Sequence, residues 1–365
     1  MKKLKRLVWY MRKASQVRSI PAQLVDIVLH RLLLCLSPAD YYRHEFYRPG
    51  KTWEEKSRYV TADGSVYWPF ENNESKFGIS LTDKYVQKHL LIGLGLPTPR
   101  LLATAGTDHS IQTAAQWREF LENVAQPLVL KPVSSACGAG ILVVKKNGDR
   151  FHSIRDNYTA EQLWEHMQRV SRRGFLIEER VCNAGVLARL NATSLNTFRV
   201  ATIKTSDGRW HVAATVVHIG APGTMVDNEE DSGYQISLDD SGRPRYAYDF
   251  TSQTAITHHP ETGIDLINLE LEGYRDVTAL ALRASRSFGF LGTIGWDIAW
   301  TDKGAMIIEG NIVWECHNFQ RGVPGVINDT LARGLTRHRI FDRWDKTRLY
   351  PGYDRRRFWA RWNRT

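Results

Sequence analysis

The spacing of apolar positions along this chain changes several times, and each change marks an element. To about residue 75 the pattern reads as helical and then irregular, with a turn at Thr61–Phe70. In "SLTDKYVQKHLLIGLGLPTPR" the spacing is helical. Ser80 followed three residues later by Asp83 has the form of a capping box. That helix is predicted to reach about Leu91, to stop near Gly93 or Gly95, and to be shut off by Pro97 and Pro99. Thr113–Val124 and Thr159–Arg173 read as further helices. Between them, "LVLKPVSSACGAGILVVKK" (Leu128–Lys146) is two apolar runs joined by a loop too long and too glycine-rich to be only a turn. After Gly174 the period shortens. Phe175–Val181 is an apolar run ending in acids, and Asn196–Gly220 is two strands around Asp207-Gly208, a strong hairpin signal. Asp276–Gly289 is a helix, and Thr293–Asn311 a second hairpin turning at Asp302–Gly304. Helices alternating with hairpins predict α+β layers rather than a doubly wound parallel sheet.

Composition narrows this picture. The 365 residues suit two or three packed subdomains, and 42% hydrophobic with 24% charged residues is ordinary for a globular chain. No run of about 18 uncharged apolar residues occurs. The nearest, Gln23–Leu36, is short and carries Asp26, His30 and Arg31. The basic start, "MKKLKRLVWYMRK", is not followed by a signal-peptide pattern. Cys35, Cys137, Cys182 and Cys316 are scattered without CxxC spacing, which argues against a zinc site or disulfide framework and suits a reducing cytosol. A net charge of +10 points to an anionic partner. Nucleic acid is not expected, because no recognition motif accompanies the charge. The tail Asp354–Thr365 mixes arginine with Phe358, Trp359 and Trp362. That mixture suits an anionic membrane surface at the inner face, or a solvated terminal helix.

Candidate chemistry sits in five places. If Asp302–Gly304 is a three-residue loop, Thr301 pairs with Ala305 and Asp297 faces Glu309 across the hairpin. Facing carboxylates repel unless a cation lies between them. Asn311 adds a neutral oxygen, and three hard oxygen ligands fit Mg²⁺, with Gly295 and Ala299 leaving room above that face. The loop Ser134, Ser135, Gly138 and Gly140 could cradle phosphate with its backbone amides, Lys131 being the point charge on the same anion. It lacks the P-loop and dinucleotide-fold strings. Cys137 reads as a small filler. The strand ending in Glu178 and Glu179 could run beside an adenine. Arg199, set in an apolar strand, needs an anion, either a neighbouring carboxylate or a ligand phosphate. His258–Pro260 (which includes His259), His317 and Gln320 are candidates for an acceptor side, against a plain structural role.

The order of these pieces resembles the ATP-grasp superfamily: Asp83-Lys84 opening a helix, then Val129–Ile141, Leu176–Val181, Asn196–Lys204 and Gly295–Asn311. "LNTFRV" and "IIEGN" look most like its sugar-transfer-associated branch, linked to cell-surface polysaccharides. The resemblance implies two α+β subdomains clamping ATP, over 76–175 and 176–330. A helical region over 1–75 would form part of the substrate site, and a basic aromatic tail would follow over 331–365. It implies phosphate contacts from Lys84 and Lys131, a lid at Ser134–Gly140, and an adenine hinge at Glu178, Glu179 and Val181. Arg199 would hold the γ-phosphate and acyl phosphate, and Asp297, Glu309 and Asn311 would hold Mg²⁺. Where many relatives carry glutamate this chain has Asp297, and no ribose-binding acid is placed. The implied reaction is ligation of a small-molecule carboxylate to an amine, either of them sugar-linked or lipid-linked. A kinase on the same fold and a non-catalytic nucleotide-binding scaffold are the alternatives.

Overall fold

The computed structural model describes residues 2–34, 36–60, 73, 75–135, 138–154, 156–224, 233–314, 316 and 318–326. The turn at Thr61–Phe70, Cys35, Cys137, His317 and the tail Asp354–Thr365 lie outside the described residues.

Among the described residues the chain opens with α1 (Lys2–Ala14), α2 (Ile20–Leu34), α3 (Pro38–Arg43) and α4 (Trp53–Ser57). Ser37 and Thr52 start the last two through reciprocal bonds with Asp40 and Glu55. These helices enclose their own aromatic core, in which Tyr41, Tyr42, Phe46 and Tyr59 are all buried. Next come α5 (Ile79–Thr82), α6 (Lys84–Gly93), β1 (Leu101–Ala105), α7 (Ala114–Glu122), β2 (Leu128–Pro132) and β3 (Leu142–Asn147). They are followed by β4 (Arg150–His152), β5 (Asn157–Tyr158), α8 (Ala160–Val170) and β6 (Phe175–Glu179). The second half holds α9 (Gly185–Leu190), β7 (Thr197–Lys204), β8 (Trp210–Ile219), β9 (Tyr234–Leu238) and β10 (Pro244–Asp249). It ends with β11 (Thr254–Ile256), α10 (Tyr274–Ser287), β12 (Thr293–Thr301) and β13 (Gly304–Asn311).

The strands form two sheets, ordered β1-β6-β2-β3-β4-β5 and β11-β10-β9-β8-β7-β12-β13, with antiparallel neighbours throughout. This is the expected α+β layering. Trp117 and Leu121 of α7 and Leu163 and Met167 of α8 bury against Leu130, Val144 and Ile177 of the first sheet. Val277, Leu280, Ala281 and Ala284 of α10 do the same for the second, under Phe198, Val200, Trp296 and Ile298. β6 belongs to the first sheet, four residues beyond the division drawn at 175/176.

Two local expectations are corrected. Ser80 does not cap the helix ahead of the lysines. It lies inside the single turn α5, and its hydroxyl donates back to the Phe77 carbonyl ahead of that turn. Asp83 starts α6 instead, its carboxylate accepting from the Tyr85 and Val86 amides. The backbone is extended at Asp83, as an N-cap requires. The last hairpin turns through two residues, Asp302 and Lys303, because Thr301 pairs with Gly304. A bulge then leaves Ile308 unpaired, so that Asp297 is opposite Glu309. The two departures cancel, and the facing carboxylates stand where the simpler register put them.

The room expected above Gly295 is also filled. A Cβ built there would lie 2.3 Å from Trp314 Cβ. Gly295→Ala is therefore expected to destabilise the fold by about 1–3 kcal/mol, the range for overpacking a core. Urea unfolding reads this as a lower midpoint at unchanged slope.

Candidate nucleotide and metal site

The site is organised by α6, which is tied to both sheets. Gln87 bonds the amide and the carbonyl of Gly310 on β13. The next residue, Lys88, reaches Glu178 on β6 at 2.8 Å. The start of the helix is held by Arg173, whose Nη2 donates to Asp83 Oδ2 at 2.5 Å, and by the Lys84 amide on the Val133 carbonyl. Lys84 and Lys88 are four residues apart and share a helix face, which they turn into a pocket between the sheets.

Two ion-pair systems line this region. In the first, Glu178 takes Lys88 on one carboxylate oxygen and Lys131 on the other, the latter at 2.7 Å. Glu178 and Lys88 are both buried. Burial alone would push the Glu178 carboxyl up, but Lys131 and Lys88 outweigh it and hold it below the usual carboxylate range. Burial also lowers the Lys88 ammonium, with Glu178 opposing that shift. In the second system Lys84 Nζ donates to Glu309 at 2.5 Å. Beside it Arg199 grips Asp297 through Nε at 2.6 Å and Nη2 at 2.9 Å. Asn311 Nδ2 donates to the same Asp297 carboxylate at 3.1 Å.

The residues singled out from the sequence therefore meet in part. Lys84, Lys131, Glu178 and Glu309 line one pocket, and Arg199, Asp297 and Asn311 form a bonded cluster on adjacent strands. Glu178 is an interior counter-ion to two lysines. Glu179 lies at the edge, near Arg100 and Lys303 of the β12–β13 turn. The Glu179 and Arg180 amides bond the carbonyls of Arg100 and Pro127, and half-buried Val181 follows the strand. Ser134 is exposed and Ser135 half-buried. Gly138 and Gly140 adopt φ of +69° and +75°, and a Cβ at Gly140 would meet Val170 at 2.7 Å, so the backbone at Gly140 lies close on the end of α8.

Lys88 is the residue the sequence reading missed. A second lysine one turn from Lys84, on a helix with no acid to pair it, was the available signal. The described acceptor-side candidates do not line this pocket. Gln320 is fully buried and joins Val60 to Val326. His259 is buried against Tyr234 and Glu261, and His258 contacts Thr257.

Among the described residues no cluster of three or more His, Cys, Asp or Glu side chains is arranged to hold a metal. Two carboxylates and an amide do stand on neighbouring strand positions, each engaged by a partner on the chain. That donor set fits Mg²⁺, which needs one or two protein carboxylates when substrate phosphates and water complete its shell.

Among curated proteins no relative matches in sequence. Among solved structures the chain is similar to the biotin carboxylase domain of 2-oxoglutarate carboxylase from Hydrogenobacter thermophilus, solved with MgADP, ADP and bicarbonate. That match has 13% identity over 64% of this chain and 40% of that one, with a TM-score of 0.39. An L-amino acid ligase from Bacillus licheniformis matches at 13% identity over 70% of this chain and 50% of that one, TM-score 0.39. A RimK domain ATP-grasp protein from Sphaerobacter thermophilus matches at 14% over 65% and 61%, TM-score 0.36. The chain thus spans between 40% and 61% of the length of these proteins. The family described as sugar-transfer associated ATP-grasp matches residues 65–329, which include both sheets and every side chain of the two ion-pair systems. The chain belongs to the sugar-transfer associated ATP-grasp family.

Proposed function

We propose that this protein is an ATP- and Mg²⁺-dependent carboxylate–amine ligase. Its small-molecule substrates are sugar-linked or lipid-linked, and it acts at the inner membrane face in the synthesis of a cell-surface polysaccharide or envelope precursor. The observation that carries the reading is the two-sided set of charges. Lys84, paired with Glu309, and Lys131, paired with Glu178, line one pocket, with Arg199, Asp297 and Asn311 on the strands beside it. All are held in pairs that a triphosphate and its metal can exchange.

In this reading Lys84 turns from Glu309 to a phosphate, and Lys131 contributes a second positive charge. Glu178 is a positioning residue, its side chain only 3% exposed, and it aims Lys88 and Lys131 while staying out of the reaction. The loop Ser134–Gly140 closes over the phosphates with its amides. Val181 meets the adenine edge, since the two amides before it are bonded within the protein. Arg199 leaves Asp297 for the γ-phosphate, and Asp297, Glu309 and Asn311 hold Mg²⁺. When bound, the metal neutralises phosphate charge and aligns the transferring group. The substrate carboxylate attacks the γ-phosphorus, ADP leaves, and an amine displaces phosphate from the acyl phosphate to give the amide. Catalysis is then positioning and electrostatic stabilisation, with no side-chain nucleophile.

Calorimetry of ATP binding with and without Mg²⁺ tests this. The wild type is expected to bind ATP in a Mg²⁺-dependent way, and Glu309→Gln to lose that dependence. Absence of binding in both conditions would overturn the reading.

A further inference from the structure

The second helix is built inside out. Its inward stripe carries Gln23, Asp26, His30 and Leu34, which share a face at about 100° per residue. Gln23 is fully buried, donates to the Met11 and Arg18 carbonyls, and accepts from the Tyr42 hydroxyl. Asp26 takes Arg18 through two bonds and the Tyr41 hydroxyl through a third. His30 contacts the Asp26 carbonyl at 2.6 Å. The outward arc is apolar. Ile20, Leu24, Val25, Val28, Leu29, Leu32 and Leu33 are each 40–66% exposed, and Arg31 is the one charged residue among them. Isolated exposed apolar side chains are common, but a contiguous helical face of seven marks an interaction surface.

The charge around this face selects its partner. Residues 1–39 contain eight Lys/Arg (Lys2, Lys3, Lys5, Arg6, Arg12, Lys13, Arg18, Arg31) and one acid, Asp26, which Arg18 already binds. α1, which contacts α2, has no acidic residue, and it exposes Val8 and Trp9, the latter with Lys13 over its ring. A second copy docked symmetrically would bring one basic helix against another. Residues 327–365 would meet it with eleven Lys/Arg against four Asp. An anionic lipid surface complements both features, taking the apolar face among acyl chains and the cations at phosphate depth. The 15 residues of α2 span only about 22 Å, and no helix among the described residues is long and apolar enough to cross a membrane, so the helix lies in the plane of the surface.

We propose that α2 with basic α1 is a docking face for anionic lipid bilayers. This inference is independent of the nucleotide reading. The test is flotation of the full chain with phosphatidylcholine vesicles, with and without 30 mol% phosphatidylglycerol, at low and high salt. The wild type is expected to float with the anionic vesicles and to be released by salt. Leu24→Gln/Val28→Gln/Leu32→Gln should reduce vesicle partitioning at least about ten-fold with an unchanged urea midpoint, because those side chains make no core. Lys2→Gln/Lys3→Gln/Lys5→Gln should reduce it at least about ten-fold on anionic vesicles while leaving α2 intact. A wild type that stays soluble beside anionic vesicles would overturn the proposal. So would a triple α2 variant that floats as well as wild type. A wild-type dimer that the α2 variant splits, with neither form floating, would assign the face to a second copy instead.

Discussion

Glu178→Ala is expected to lower the unfolding free energy by about 3–5 kcal/mol, the cost of breaking a buried ion pair by removing one side. Glu178 is 2% exposed and answers two ammonium groups. Its removal leaves Lys88, itself buried, with only the Thr98 hydroxyl and the Pro99 carbonyl, and takes from Lys131 the carboxylate that aims it. Replacing Glu178, Lys88 and Lys131 together by methionine should restore much of the loss, since no uncompensated charge then stays inside. Urea unfolding measures both. A Glu178→Ala effect under about 1 kcal/mol would mean that water reaches the lysines and that the triad is no pin. The same triad sets an acid limit. The folded Glu178 carboxyl titrates below its unfolded value, so the folded state binds fewer protons across that interval. Its stabilisation is complete above the unfolded carboxylate value of about 4.3 and is lost as pH falls through the lower folded value. Glu178→Met/Lys88→Met/Lys131→Met should flatten that part of the pH–stability curve.

What the sequence revealed and what it hid follow one physical line. Periodicity exposes elements whose faces differ in polarity, so α7, α8, α10 and both large hairpins were legible, and with them the facing of Asp297 and Glu309. That facing survived an error in the turn because a bulge at Ile308 supplied the residue that the shorter turn removed. Tertiary pairing was not legible. Glu178 read as a strand end beside a base, because nothing local says that Lys88 and Lys131 converge on it from other elements. Gly295 read as open space because Trp314, which fills it, lies nineteen residues further along the chain. The polar Gln320 suggested a substrate contact, but it is a buried clamp on backbone groups of Val60 and Val326. The inside-out pattern of α2 is present in "IPAQLVDIVLHRLLL", but which side faces inward depends on Tyr41 and Tyr42 from the next helix.

Arg199→Lys is expected to separate the structural from the functional use of that residue. The guanidinium now spans both oxygens of Asp297, a fork-to-fork contact that an ammonium cannot reproduce. If Arg199 moves to the terminal phosphate when a triphosphate binds, the variant loses a charge-assisted bond worth about 1.5–3 kcal/mol, or roughly 10- to 150-fold in affinity. That loss should fall on a non-hydrolysable Mg–triphosphate analogue and leave Mg–ADP within about three-fold, since ADP lacks the phosphate concerned. Calorimetry of the two ligands against wild type and variant decides between the roles. An equal fall for both ligands would mean that Arg199 acts by fixing Asp297 as a metal ligand. No change for either would mean that Arg199 and Asp297 are a structural pair and that the terminal phosphate is held elsewhere. Asp297→Asn completes the comparison. It takes the Asp297 charge away from Arg199 and keeps the guanidinium, so a phosphate-binding arginine should then bind the triphosphate analogue at least as tightly in the absence of Mg²⁺, whereas a purely structural arginine would show no gain.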